Sequence, residues 1–444
     1  MSNRSSSHGM VGGRKNPRLV LALAGLFAIF SITLPITAFA DVKATIENLQ
    51  NHPRVLSERA KWLASEARIS ELRAQWLPSV SLGTDGGTRI FGSTSKSQSR
   101  AFGDDDFVDV LVTGRQLIYD FGATNNFIDE SKYLSQADAN RSDIVFNELI
   151  GELVRFSIQY ETEERRLKLI KQVLIPLEKQ YGLAERRFLT GVSSGEDYRR
   201  IGLDKDTLKR DIIEAQRLLK DVSRRVVEQF ALSVEDALEL SQMLLIKAAK
   251  PEAEERLSDA ARRYREQGAM ARIEAISAQR MPRIELELEG RTFDVTNGLG
   301  SENELVGNIR LNIPFFDGGA LAAKVRAAKS ERNVLLQEIM FEKRVLAERS
   351  AQIEEELTAL DKLLISLKNQ ILTAKETLAM ANARQGKTSV EINQISSNIM
   401  SLYRLEADKI NTESQIEKLR ADVATLYEQW PMRVSHASSA VEKP

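Results

Sequence analysis

The 444-residue sequence contains no cysteine, which excludes disulfides, thiolate metal sites, a cysteine nucleophile and a cysteine-linked lipid anchor. Histidine is almost as scarce, because only His8, His52 and His436 are present to build a histidine-based active site or zinc site. The formal net charge is -1, so bulk electrostatics give no reason to expect a nucleic-acid partner. These absences favour a non-catalytic protein without a cofactor.

Long apolar runs are also missing, with one exception near the N-terminus. A basic segment precedes the apolar run 19–34, and Ala38-Phe39-Ala40 follows Pro35. This pattern predicts a cleavable signal peptide over residues 1–40 with Asp41 as the first mature residue, the alternative being an uncleaved membrane anchor. Since no other stretch approaches the ~18 apolar residues of a spanning helix, any further insertion into a membrane would use strands.

An internal repeat organises the rest of the chain. The matched landmarks are Ala67-Arg68-Ile69 with Ala271-Arg272-Ile273, Pro78 with Pro282, Asp120-Phe121-Gly122-Ala123 with Asp317-Gly318-Gly319-Ala320, and Gly191 with Gly386. We interpret each copy as helix, strand, strand, helix, helix. The predicted organisation is a first repeat over 41–230, a linker of small helices over 231–258, a second repeat over 259–430 and a disordered tail over 431–444.

Period-two alternation follows the proline that ends the first helix of each copy. Ile284, Leu286 and Leu288 alternate with charged residues in the second copy. The polar face of that copy is expected to carry Glu285, Glu287, Glu289, Arg291 and Arg310. An ordinary antiparallel sheet on a core shows the same alternation. Strands of about 10 residues with aromatic residues at both ends favour a sheet that crosses a membrane.

Heptad spacing replaces this alternation after each pair of strands. From Ile353 to Leu378, apolar residues recur at intervals of four and three, as in a coiled coil. A helix over 320–385 would span on the order of 100 Å. Gly191 and Gly386 stand where each long helix would reverse its direction. The predicted fold class is therefore mainly α-helical, with long coiled-coil hairpins and four membrane β-strands per chain.

Four strands cannot close a barrel, and open sheet edges in lipid leave backbone groups unpaired. The barrel must therefore be shared between chains. Two chains would give eight strands and an interior filled by side chains, whereas three would give twelve strands and a hollow lumen. Glu285, Glu287 and Glu289 suit a water-filled lumen and predict some cation preference. Closure thus favours a trimer, and larger rings stay open.

The order of these motifs resembles the TolC-type outer-membrane efflux protein family. The resemblance rests on the duplicated helix-Pro-strand unit, the Asp-Gly-Gly-Ala transition and the Arg-Phe-x-x-Gly-Val-x-Ser-x-x-Asp turn, and it covers nearly all of residues 42–430. It implies a homotrimer with a twelve-stranded barrel in the outer-membrane lipid and an α-helical periplasmic tunnel. It also implies docking onto a periplasmic adaptor (a membrane fusion protein) and an inner-membrane pump or ABC transporter, in small-molecule efflux or type I secretion.

The same resemblance assigns candidate sites at the periplasmic end. The adaptor-docking tips would be formed by Arg187, Phe188, Gly191, Ser194 and Asp197 in the first hairpin and by Gly386 and Ser389 in the second. The periplasmic aperture would be lined by Glu391, Asn393 and Gln394. Many family members carry several acidic residues here. Since only Glu391 is acidic and it is out of register, closure by hydrogen bonds of Asn393 and Gln394 replaces a cation-binding gate as the expectation.

Two interpretations without a pore stay open on the sequence. A periplasmic adaptor also has a helical hairpin but needs compact β-domains between its arms, and a structural coiled coil leaves the four strands unexplained. Gly386-Lys387-Thr388 resembles the end of a phosphate-binding loop. However, Ala381 stands where the first glycine is required, and the segment follows a helix. We therefore expect neither ATP binding nor enzymatic activity.

Overall fold

The computed structural model describes residues 44–88, 106–192, 195–248, 256–292, 303–384 and 391–430. The predicted signal peptide and tail lie outside these ranges. The elements are α1 (Pro53–Ala74), β1 (Ser79–Thr88), β2 (Asp106–Tyr119), α2 (Ala123–Leu189), α3 (Gly195–Phe230), α4 (Val234–Ala248), α5 (Leu257–Ala278), β3 (Arg283–Thr292), β4 (Asn303–Asn312), α6 (Ala320–Ala383) and α7 (Glu391–Leu426). The order helix, strand, strand, helix, helix occurs twice, with α4 between the two runs.

The four strands form one antiparallel sheet in the order β1-β2-β3-β4. Among the described residues, β1 and β4 each pair on one side only, which leaves two open edges. The register places Ser79 opposite Arg115 and Arg115 opposite Glu287, with Arg310 opposite Glu285. Side chains that are directly opposite point to the same face of a sheet, so Ser79 shares one face with the charged residues.

The two strand-to-helix transitions have the same geometry, as their matching sequences predict. The Asp120 carboxylate accepts hydrogen bonds from the backbone N–H groups of Gly122 (3.2 Å) and Thr124 (2.7 Å). The Asp317 carboxylate accepts from those two and four residues later, at 2.9 and 2.6 Å, and these bonds lower the pKa of Asp317. Gly122 has φ +90° and its counterpart Gly319 has φ +87°. Glycine adopts this left-handed backbone without a steric cost.

The helices α2 and α6 are 67 and 64 residues long, so each spans on the order of 100 Å. The helix α2 continues through Pro176, where the sequence suggests a kink. It packs against α1, α3, α5 and α7, whereas α6 packs against α5 and α7. The hairpin helices therefore lie in the order α3–α2–α7–α6, and the helices nearer the strands lie in the order α1–α2–α5–α6. Both orders leave α6 at one end.

The two largest apolar clusters among the described residues hold these helices together. One surrounds α4 and includes Phe146, Leu149 and Leu153 of α2. The other lies toward the hairpin tips, where Leu177 of α2 and Leu208 of α3 are fully buried. Within residues 353–378 of α6, the predicted heptad positions are the least exposed: Ile353, Leu367 and Ile371 are buried, and Leu357, Leu360, Leu364, Ala374 and Leu378 are half-buried. Within the described part of the chain, no helix has both the length and the apolar character of a membrane span.

Candidate functional site

One face of the sheet is apolar and uncovered in the single chain. Val80 on β1 is 74% exposed and Ile309 on β4 is 79% exposed. The register places Leu82, Val112 and Leu288 on the same face as these two residues. A contiguous exposed apolar surface of this kind marks a contact with another protein or with a membrane.

The opposite face carries a three-residue ion-pair network across three strands. The Glu287 carboxylate on β3 is buried between two arginines. It accepts a hydrogen bond of 2.8 Å from Arg115 Nε on β2 and one from Arg310 Nη2 on β4. The arginine side chains remain 65% and 59% exposed, whereas that of Glu287 is only 7% exposed. The glutamate is thus a hub inside the network, and the guanidinium groups face the open side.

The other two glutamates predicted on the polar face of β3, Glu285 and Glu289, also each have an arginine nearby. Arg283 Nε lies 2.6 Å from Glu285 Oε1, and Arg291 Nη2 lies 3.7 Å from Glu289 Oε1. The five residues predicted for this face therefore do lie on it, with two further arginines beside them. Arg115 was not among the sequence candidates. Asp109, Leu111 and Thr113 alternate along β2 on the polar face, and extending that alternation by two residues would have identified Arg115.

The first hairpin turn is built around Gly191, as its position in the repeat predicts. Its backbone has φ +73°, and its N–H donates to the Phe188 carbonyl at 3.0 Å. The N–H of Val192 donates to the Arg187 carbonyl at 2.9 Å. This pair of bonds is the Schellman arrangement, which ends a helix with a left-handed residue. A Cβ added at Gly191 would have no atom within 4 Å, so backbone conformation and not space favours glycine.

An aromatic cluster stiffens this first tip. Phe188 stacks on Tyr198 with ring centroids 5.7 Å apart, and Tyr181 lies 4.9 Å from Tyr198. The Tyr181 hydroxyl donates to the Tyr198 hydroxyl at 2.5 Å, and the Tyr198 hydroxyl donates to Glu185 Oε1 at 3.4 Å. Lys205 Nζ sits 3.6 Å from the centre of the Tyr181 ring. The cluster joins α2 to α3 and leaves part of Phe188 exposed at the tip.

Polar bonds connect the two hairpins through their return helices, α3 and α7. Asn393 Nδ2 donates to Asp197 Oδ1, which joins a predicted aperture residue to a predicted tip residue. Arg200 Nη2 donates to Ser397 Oγ at 3.1 Å. Farther from the tips, the Tyr403 hydroxyl donates to Asp211 Oδ2 at 3.0 Å. Burial, followed by this bond, raises the pKa of Tyr403 to about 12, so the hydroxyl remains a donor at neutral pH.

Several predicted site residues fall outside what the structure describes. Ser194, Gly386 and Ser389 lie in the gaps, and the side chain of Glu391 at the start of α7 is likewise not described. Gln394 is exposed on α7. Among the described residues, no group of three or more histidine, cysteine or carboxylate side chains is arranged to hold a metal ion.

Comparison with known proteins agrees with this arrangement of helices and strands. Residues 46–225 match the family model of the outer membrane efflux protein. The outer membrane protein VceC of Vibrio cholerae superposes with a TM-score of 0.72 at 14% identity, over 87% of this chain and 96% of that one. The open-state outer membrane channel MtrE of Neisseria gonorrhoeae gives 0.71 at 17% identity, over 87% and 89%. The Campylobacter jejuni outer membrane channel CmeC gives 0.70 at 11% identity, over 89% and 87%. A search of curated proteins returned no match.

These matches confirm the predicted resemblance and the fold class of long helices with four antiparallel strands. Identities below one fifth carry the fold and not the cargo or the partners. The fold is that of solved outer-membrane channels.

Proposed function

We propose that this chain, which matches the outer membrane efflux protein model over residues 46–225 and has the fold of the TolC-type channels, forms a passive export duct. The duct crosses the bacterial outer membrane and continues into the periplasm as a helical tunnel. It docks onto a periplasmic adaptor and an inner-membrane pump or ABC transporter. That partner supplies the energy, in small-molecule efflux or in type I secretion.

The two-faced sheet carries this proposal. Val80, Leu305 and Ile309 expose apolar side chains on one face, while Arg115, Glu287 and Arg310 occupy the other. Lipid on the first face and water on the second would satisfy both, and the strands of about 10 residues are long enough to cross a bilayer. Phe315 and Phe316, almost fully exposed after β4, suit the membrane–water boundary at the periplasmic end.

The open edges support assembly into a ring. The outermost strands of the sheet are β1 and β4, and the outermost helices of the hairpin layer are α3 and α6. One chain therefore has two sides without a neighbour. Exposed apolar side chains lie on both edge helices, including Leu203 and Ile213 on α3 and Phe341 and Leu372 on α6. Because these two sides differ, they would meet head to tail and close a ring. Three chains give the twelve strands that leave room for a polar lumen.

We assign docking to the hairpin tips. Phe188 and Gly191 are exposed at the end of the first hairpin and Arg187 beside them is half-buried, and the aromatic cluster behind them presents a preorganised surface. Ser194 and Asp197 belong to the same tip, and Gly386 and Ser389 to the second. Glu391, Asn393 and Gln394 would line the aperture. The hydrogen bond between Asn393 and Asp197 makes closure depend on contact between hairpins.

The decisive experiment tests whether the protein forms a trimer in outer-membrane fractions. A heat-modifiable trimer that conducts ions in planar bilayers is the expected result. A proline at Thr190 should uncouple export while the trimer persists, because it disturbs the turn at the first tip and leaves the strands untouched. Recovery of the mature chain as a monomeric periplasmic protein would instead favour an adaptor-like or coiled-coil protein. Normal export by the Thr190→Pro variant would remove the tips as the docking site.

A further inference from the structure

Charge is unevenly distributed along the polar face of the sheet. The end nearest the helices carries Arg115, Arg283 and Arg310 against Glu285 and Glu287, so it has one net positive charge per chain. Within the described strands, the other end carries the acidic residues Asp85, Asp109, Glu289 and Glu304 and one base, Arg291. The face is therefore electropositive where solutes would enter from the helices and electronegative where they would leave.

The carboxylates at the helix-proximal end are held by arginine. Glu287 is buried and accepts from both Arg115 and Arg310. Glu285 lies 2.6 Å from Arg283 Nε. A buried, doubly paired carboxylate contributes little attraction for a mobile cation, because its charge is already compensated by groups closer than any solute.

The two arginines of the network, in contrast, keep much of their surface open. Each gives one N–H to Glu287, and their side chains are 65% and 59% exposed. They stand on β2 and β4, with β3 between them, so about 10 Å separates their strands. Guanidinium groups bind carboxylates and phosphates through paired N–H donors and are not neutralised at physiological pH. Glu287 thus fixes the position of each guanidinium through one N–H, and the other N–H groups of each arginine are not used in this bond.

We propose that Arg115 and Arg310, anchored by Glu287, form an electropositive ring that attracts anionic solutes at the inner end of the barrel lumen. The inference rests on the proposed function, since it needs the polar face to enclose water. Three chains would place six guanidinium groups around one level of the lumen. Solutes that carry carboxylate or phosphate groups would be concentrated there, and cations would meet a barrier. This replaces the cation preference expected from the glutamates alone.

The cysteine-free sequence allows a direct test with single thiols. Ser79→Cys places a thiol opposite Arg115, and Val306→Cys places one opposite Glu289, both on the polar face. Val80→Cys is the neighbour of Ser79 on the apolar face. The protein in lipid vesicles is treated with anionic sulfonatoethyl or cationic trimethylammonioethyl methanethiosulfonate. The anionic-to-cationic rate ratio is then divided by that of free 2-mercaptoethanol. The ratio cancels any change in thiolate fraction caused by nearby arginines.

We expect a ratio above one at Ser79→Cys and below one at Val306→Cys. One uncompensated charge about 7 Å away in water changes this ratio by roughly tenfold, and raised salt should remove the difference. Arg310→Gln should lower the ratio at Ser79→Cys, whereas Arg310→Lys, which keeps the charge, should preserve it. Glu287 retains Arg115 as a partner in both variants, so folding is protected.

The outcomes separate the ring from the duct. If the two polar-face thiols react and Val80→Cys does not, the lumen is in place. Equal ratios at Ser79→Cys and Val306→Cys, or no effect of Arg310→Gln, would then overturn the electropositive ring alone. If Val80→Cys reacts and Ser79→Cys does not, the polar face does not enclose water, and the ring and the proposed function fall together.

Discussion

At the residue scale, Gly151 lies where α2 packs tightly against Thr425 of α7. A Cβ added there would overlap Thr425 Oγ1 and would lie 2.9 Å from Thr425 Cγ2. We expect Gly151→Ala to destabilise the protein by about 1–3 kcal/mol, as overpacking of a tight core does. Gly182→Ala is the matched control on the same helix, because nothing lies within 4 Å of its added Cβ. It should be neutral or stabilising by up to about 1 kcal/mol. Thermal unfolding in detergent distinguishes the two, and equal melting temperatures would contradict overpacking at Gly151.

Glu163 on α2 gives a second prediction, on pH. Burial raises the pKa of this carboxyl group, although Arg166 and Lys418 partly oppose it, and its Oε2 atom is buried without a hydrogen-bond partner. The folded protein therefore holds the proton more tightly than the unfolded chain, whose pKa is about 4.5. This stabilisation of the folded state is complete below the pKa of Glu163 in the unfolded chain, and it is lost as the pH rises through the folded-state pKa.

Glu163→Gln should accordingly raise the melting temperature at pH 7.5 and leave it nearly unchanged at pH 4. Glu214→Gln is the control of opposite sign, because a hydrogen bond from Arg217 lowers the pKa of Glu214. It should give no gain at pH 7.5. A gain for Glu163→Gln that is equally large at pH 4 would show that ionisation is not the cause.

Single residues also show what the sequence can and cannot predict. The matching Asp120 and Asp317 segments predict equal local geometry, because their hydrogen bonds reach only two and four residues along the chain. The alternation likewise predicts which face Glu287 occupies. It cannot predict the arginine partners, since these depend on the registers of β2 with β3 and of β3 with β4. A charge count on β3 alone therefore suggests cation preference, whereas the arginines of β2 and β4 make the helix-proximal end of the face net positive.

At the scale of elements, the long helices and their heptad seam follow from periodicity alone. The bonds between hairpins do not, because α3 and α7 meet only as a consequence of how α2 packs on α7. Asp197, Arg200 and Asp211 on α3 bond to Asn393, Ser397 and Tyr403 on α7. Movement of the two hairpin tips apart would have to break these bonds.

Removing two of these bonds should open the periplasmic end. We expect Asp197→Ala combined with Tyr403→Phe to raise single-channel conductance in planar bilayers several-fold, because two of the three bonds named between α3 and α7 lose a partner. Asp221→Ala is the control, since Asp221 bonds only to arginines of its own helix in the contacts described. Conductance that stays at the wild-type level in the double variant would mean that closure does not depend on these bonds.

At the scale of the whole molecule, assembly depends on the edges of the chain. Alternation and closure predict four strands that need neighbours, and the structure adds that the helices end in the same way, at α3 and α6. Which exposed residues meet in the ring could not be predicted from periodicity, because the outer faces of α3 and α6 mix apolar and charged side chains. The exposed fractions in the single chain give the candidates for that contact.

Phe341 on α6 offers the sharpest test of the ring. Its side chain is 66% exposed in the single chain, on the edge that we expect to face α3 of the next protomer. Burying a phenylalanine stabilises a contact by about 1.5–3 kcal/mol, and a three-fold ring repeats that contact three times. Phe341→Glu should therefore dissociate the trimer at a lower temperature on semi-native gels. Ile246→Glu, at a 77% exposed position on α4 between the edges, should leave it intact. Equal loss of trimer in both variants would indicate general misfolding, and no loss in Phe341→Glu would place the subunit contact elsewhere.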